Sequence, residues 1–134
     1  MNTKIRIIGI NLLLFALLFG LVSLNKGFLR PFSNQTPPLT FLTGSFPNFI
    51  AAYLISLFFV NAVVTIEPQN GRLIVYMGSL FVFVVLTIEE LNSFWGASTH
   101  YDPIDIIASG LGSLLAVLTF ELIVLKRKKQ KMSV

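Results

Sequence analysis

Four carboxylates lie between two strongly apolar segments in the stretch LTIEELNSFWGASTHYDPIDIIASGLGSLL, which runs from Leu86 to Leu115. Oxygen ligands of this kind can hold a hard cation, relay protons or bind the polar part of a ligand. The role of these carboxylates depends on where the apolar segments place them relative to a membrane. The four acids are Glu89, Glu90, Asp102 and Asp105.

The adjacent pair Glu89 and Glu90 cannot play one role, because neighbouring residues on a helix point about 100° apart. If the helix continues, Glu89 shares a face with Asn92, whereas Glu90 aligns with Phe94. We therefore predict that Glu89 faces the helix bundle and that Glu90 is solvated at the membrane interface.

The motif D-P-I-D at residues 102–105 is typical of a helix start. Asp102 suits the N-cap and Pro103 the first turn, where its missing N–H costs nothing. Asp105 then takes the third position, where its charge favours the positive end of the helix. Capping explains both acids without any chemistry, although a capping residue can also belong to a binding site.

The composition indicates a membrane protein, since 54% of the 134 residues are hydrophobic and only 12% are charged, against about 25% charged in a soluble domain. Four apolar runs of roughly 16 to 20 residues are each long enough to cross a bilayer as a helix. We predict an all-α, polytopic membrane protein with four transmembrane helices in an antiparallel bundle and a single domain. The predicted spans are 7–24, 49–66, 73–91 and 104–125.

The basic residues predict the orientation of these spans. Of the 10 lysines and arginines, only Lys26 and Arg30 fall on the side away from the termini. By the positive-inside rule, the protein is a multi-pass protein of the cell membrane with both termini in the cytoplasm. The pI of about 9.7 then reflects topology, and nucleic acid is not an expected partner.

The first span resembles a secretory signal peptide in part, but its apolar run is longer and it has no A-x-A site, so we expect a retained anchor. Cleavage would leave three spans. The tail 126–134, with its KRKKQK run, is interpreted as a topology determinant. A specific site for anionic lipid is the alternative. Glu121 is expected to snorkel or to pair with this tail.

Two connections differ in length. Residues 25–48 are predicted to form a long outer loop, because Pro37, Pro38 and Pro47 argue against a regular helix. Its phenylalanines either lie on the bilayer surface or form a lid over an outward cavity. The six residues EPQNGR at 67–72 are predicted to form a turn that makes the second and third spans a hairpin.

Small residues in the fourth span predict close helix packing. Ala108, Gly112 and Ala116 recur at intervals of four and let another helix approach closely. Asn11 and Asn61 are predicted to hydrogen-bond between helices.

The acidic segment resembles the signature of the VanZ-like family of small polytopic bacterial membrane proteins. The resemblance is carried by Glu89, Phe94, the pair Asp102 and Asp105, and Gly112. The family's named member is linked to low-level teicoplanin resistance, so the resemblance implies a location in the cell envelope and no particular reaction.

The chain departs from that signature at four places, one of which is an extra residue before Asp102. Asn92 stands where the family has glutamine, and Ser109 stands where it has asparagine. The family's arginine is replaced by the region 98–100, where His100 is the candidate substitute for the cation. The hypothetical ligand-binding residues are Glu89, Asn92, His100, Asp102, Asp105 and Ser109.

Three functions follow from these observations. The first is a non-enzymatic envelope protein that binds an amphiphile or lipid-linked headgroup at its outer face. The second is a small transporter or ion-coupled subunit that uses Glu89 and Asp105, and the third is a cation-dependent hydrolase or transferase. The lipid bilayer is the expected partner and a homo-oligomer stays open. No cofactor or metal is predicted, and catalysis is undecided but disfavoured, since no triad, HExxH, P-loop or GxGxxG motif is present.

Overall fold

A computed structural model describes residues 2–33, 36–92 and 102–133, and these residues form helices joined by short connections. Four stretches are long and apolar enough to cross a membrane. The all-α, four-span fold predicted from the sequence is therefore confirmed. Helix α1 (Thr3–Leu24) continues through a π-helical segment (Asn25–Leu29) into the short α2 (Arg30–Ser33), and α3 (Pro37–Ile66), α4 (Gly71–Asn92) and α5 (Pro103–Met132) follow.

Helix α3 is the centre of the structure and contacts α1, α4 and α5. It runs parallel to α5, since Gly112 lies against Ala52 near one end and Arg127 reaches the Val64 carbonyl near the other. Within the described residues, α1 packs on α3 but not on α4 or α5, and α1 contains no buried residue. The first span is therefore a peripheral helix on a three-helix core.

The prediction of an irregular loop over residues 25–48 is wrong. The first span stays helical as far as Ser33, and α3 already begins at Pro37. Pro37 and Pro38 occupy the first two positions of α3. The backbone N–H that proline lacks would have no hydrogen-bond acceptor within the helix at these positions. The phenylalanines of this region are therefore carried on helices and not on a long loop.

Pro47 lies inside α3 and cannot donate the hydrogen bond that the Thr43 carbonyl would normally accept. The Asn25 side chain replaces this donor, because its Nδ2 donates to the Thr43 carbonyl oxygen over 2.7 Å. Asn25 is fully buried and is the first residue of the π-helical segment. The internal proline is thus accommodated by a side chain from the first span.

The prediction that Asn11 and Asn61 hydrogen-bond between helices is confirmed, and the structure shows that they bond to each other. The Asn61 amide nitrogen donates to Oδ1 of Asn11 over 2.8 Å and to the Ile7 carbonyl over 3.2 Å. Polar pairs of this kind hold membrane helices together because lipid offers no other partner. The bond between Asn11 and Asn61 and the bond made by Asn25 therefore connect the first span to α3 at two positions along its length.

The small-residue stripe of α5 lies against α3. Ala108, Gly112 and Ala116 are buried. A Cβ atom added to Gly112 would lie 2.9 Å from the Ala52 Cβ, 3.0 Å from the Tyr53 backbone nitrogen, and against the Phe49 carbonyl oxygen. Only a residue without a side chain lets the two backbones approach this closely.

The predicted hairpin between the second and third spans is confirmed, with a turn at residues 67–70. Glu67 ends α3 in the left-handed conformation, at φ 53°. It forms an ion pair with Arg127. Glu121 pairs with Arg72 at 3.0 Å and accepts a hydrogen bond from the Tyr76 hydroxyl over 2.8 Å. Of the two alternatives expected for Glu121, pairing with the tail is therefore not what the structure shows, because its partners are at the start of α4.

The fourth span is longer than the sequence predicts, because α5 continues through the basic run to Met132. Lysine and arginine are good helix formers, and their charge is favourable in the last turn of a helix.

Candidate functional site

A cluster of polar side chains lies at the end of the fold opposite the termini. Its members come from four helices: Arg30 from α2, Asn48 from α3, Glu90 from α4, and Asp102 and Asp105 from the start of α5. We call these five residues the polar cluster. They lie at the same end of the fold because α2 packs on α3, and the parallel α3 and α5 and the end of α4 reach the same level.

Asp105 is the centre of the polar cluster. Its carboxylate is half-buried and accepts a hydrogen bond from the Asn48 side chain. The charges that act on it belong to Glu90, Asp102 and Arg30. Because the group is partly removed from water, these charges interact with it more strongly than they would on an exposed surface.

Two of the acids join α4 to α5. Glu90 Oε1 accepts a hydrogen bond from the Asp102 backbone N–H over 3.2 Å. Asp102 Oδ1 in turn accepts one from the Ile104 backbone N–H over 2.9 Å, which confirms the predicted N-cap. The acids therefore have structural partners and still present carboxylate oxygens to the cluster.

Only some of the residues predicted as ligands lie in the polar cluster. Asp102 and Asp105 lie in the cluster, whereas Asn92 is exposed at the last position of α4. The Ser109 hydroxyl is buried and donates to the Asp105 backbone carbonyl over 3.0 Å, so the helix itself uses it. His100 lies outside the described residues.

Glu89 and Glu90 are both half-buried, and this differs from the predicted division into one inward and one solvated acid. The Oε2 atom of Glu89 is buried, so its carboxylate is directed partly inward as expected. Nevertheless, Glu90 is the acid that contacts Asp102 and acts on the charge of Asp105. A helical wheel gives the angle between the two acids but not the position of α5.

Arg30 and Asn48 were missed in the sequence. Arg30 reaches the cluster because the first span continues as a helix beyond Leu24, and its guanidinium donates to the Gly44 carbonyl over 3.4 Å. One signal was available, since Arg30 is one of two cations on that side of the spans. Its positive charge acts on the Asp105 carboxylate.

The polar cluster has more acids than bases. Its charged members are three carboxylates and one guanidinium. No group of three or more histidine, cysteine, aspartate or glutamate residues in the described ranges could hold a metal ion. The cluster can accept hydrogen bonds from a cationic group and offer one guanidinium to an anionic group.

Fold and site together define a multi-pass α-helical membrane protein with a polar cluster at one end of its spans. Neither a family model, nor a curated protein, nor a solved structure matches the chain.

Proposed function

We propose that this chain is a non-enzymatic protein of the bacterial cell membrane that binds the polar headgroup of an amphiphile at its outer face. The observation that carries the proposal is the convergence of Arg30, Asn48, Glu90 and Asp105 from four helices at one end of the fold. Placing a charged side chain within the membrane costs free energy, and such residues mark binding or transport sites. The excess of lysine and arginine at the other end supports an outward orientation of the cluster.

The charges of the cluster favour a headgroup that carries an amine. The three acids attract a cation, and Arg30 can pair with a phosphate or carboxylate of the same headgroup. Phe28 and Phe32, on the segment that carries Arg30, are exposed, and their ring centroids lie 5.2 Å apart. These exposed rings give an alkyl chain an apolar surface on the same helical segment as Arg30. The resemblance to VanZ-like proteins agrees with an envelope role.

Binding of dodecylamine tests the proposal. The protein is reconstituted in nanodiscs of neutral lipid, and binding is followed by the fluorescence of Trp95, which stands between Glu90 and Asp102 in the sequence and is the single tryptophan. The double variant Glu90→Gln with Asp105→Asn should weaken binding by about tenfold or more, because it removes two charges that face the amine. Dodecanol has the same chain without the amine and should not distinguish the variant from the wild type.

Glu67→Gln is the matched control, since it removes an acid at the opposite end of the fold. An equal loss with Glu67→Gln, or unchanged binding in the double variant, would contradict the proposal. Cation flux into liposomes that depends on Glu90 and Asp105, without any amine binding, would favour the ion-coupled subunit instead.

A further inference from the structure

A cavity of about 420 Å³ lies at the terminal end of the fold, far from the polar cluster. It is formed by the end of α3, the turn at residues 67–70, the start of α4 and the last turns of α5. Its wall and its rim differ in chemistry. The volume falls within the range of small-molecule sites, roughly 300 to 1,000 Å³.

The wall of the cavity is apolar. Val63, Val64, Phe120, Ile123 and Val124 line it. Val63 and Phe120 also belong to the hydrophobic core, so this part of the wall is held in place by packing. A wall of this kind favours a hydrocarbon chain, which a free inorganic anion does not have.

The rim is basic and has more cations than acids. Arg72, Arg127, Lys128 and Lys131 line it together with Glu67. Arg72 is paired with Glu121 and Arg127 with Glu67. Among the described residues, no carboxylate pairs with Lys128 or Lys131, and both are exposed. Two ammonium groups thus remain at the mouth of an apolar cavity.

The cavity lies where the apolar part of α5 passes into its basic run, and in a helix that crosses a bilayer this transition falls near the lipid headgroups. Basic pockets between helices at this level suit the phosphate of an anionic lipid. We infer that this cavity binds an anionic phospholipid, with the phosphate on Lys128 and Lys131 and the first carbons of an acyl chain on Val63, Phe120 and Ile123. The site is independent of the proposed function, since it shares no residue with the polar cluster.

Lipid binding in detergent tests the inference. Native mass spectrometry of the purified protein compares phosphatidylglycerol with phosphatidylcholine of the same acyl chains. Wild-type protein should retain phosphatidylglycerol preferentially. The double variant Lys128→Gln with Lys131→Gln should lower that affinity by about tenfold or more, because each cation near the headgroup contributes separately.

The same tail provides a matched control. Lys126→Gln with Lys129→Gln removes the same charge, but neither residue lines the cavity. This control should keep the affinity for phosphatidylglycerol within about twofold of the wild type. An equal loss in both double variants would overturn the inference in favour of diffuse attraction to the whole basic tail.

Two further measurements separate a lipid from a free anion. Phosphatidylglycerol with six-carbon chains should bind less tightly than the long-chain lipid, because it covers less of the apolar wall. Inorganic phosphate at the same concentration should displace little of the long-chain lipid. Full displacement by phosphate, or equal retention of phosphatidylcholine, would overturn the inference.

Discussion

Polar side chains in this protein often hydrogen-bond to backbone groups. The Thr43 carbonyl loses its helical donor to Pro47 and accepts the Asn25 amide instead. An unpaired carbonyl in an apolar environment costs about 1 to 3 kcal/mol. Asn25 is therefore best understood as the partner of a proline that lies 22 positions away along the chain.

This relation predicts the outcome of a double-variant experiment. Asn25→Ala should lower the free energy of unfolding by about 1 to 3 kcal/mol, because it removes the buried amide that donates to the Thr43 carbonyl. In a Pro47→Ala background the restored N–H can donate to that carbonyl, so the same Asn25→Ala change should cost clearly less. Unfolding in mixed micelles measures both differences. Equal costs in the two backgrounds would show that the Asn25 bond does not compensate for the proline.

At the scale of the helices, the contact between α3 and α5 controls the geometry of the polar cluster. Gly112 lets the two backbones approach, and Asp105 lies two turns nearer to the start of the same helix. Asn48 lies one residue before Phe49, whose carbonyl faces Gly112. A change that separates the helices should therefore also separate Asp105 from Asn48.

Substitution of Gly112 tests this contact. Gly112→Ala should lower the free energy of unfolding by about 1 to 3 kcal/mol, since its Cβ would meet backbone atoms of α3 that cannot move aside. Gly20→Ala is the control, because a Cβ there meets nothing within 4 Å. That change should be neutral or stabilising by up to about 1 kcal/mol, since alanine is the better helix former. The two variants should thus differ in sign when unfolding is measured in mixed micelles, and the same sign in both would argue against the close contact.

For the whole molecule, the distribution of charge gives the two ends different chemistry. The polar cluster has an excess of acids, whereas the cavity near the termini has an excess of bases. With four spans, both termini lie at the basic end. Lysine and arginine near the ends of spans are retained in the cytoplasm.

Reporter fusions measure this orientation. An alkaline phosphatase fused after Ser133 should be inactive, because the positive-inside rule keeps that end in the cytoplasm. A fusion truncated after Asn92, at the end of α4, should be active and serves as the control. High activity after Ser133 together with low activity after Asn92 would reverse the proposed orientation, and with it the assignment of the polar cluster to the outer face.

The sequence was sufficient for the fold class, since hydrocarbon leaves an apolar run of this length little choice but a helix. It also predicted the N-cap at Asp102 and the use of Asn11 and Asn61 in hydrogen bonds between helices, although only the structure shows that these two bond to each other. It failed at residues 25–48, where the prolines suggested a loop. Pro37 and Pro38 start a helix, where proline is tolerated, and the carbonyl that Pro47 leaves without its helical donor accepts the Asn25 amide from another span.

The composition of the polar cluster was decided by tertiary structure alone. Helical periodicity places Glu89 and Glu90 on different faces, but only the packing of α4 beside α5 determines which of them meets Asp102. Arg30 and Asn48 are distant from the acids in sequence. They join the cluster because α3 carries Asn48 and packs against α2, which carries Arg30. Spacing along one helix can be read from a sequence, whereas the approach of side chains from different helices depends on where Gly112 and its neighbours let the backbones meet.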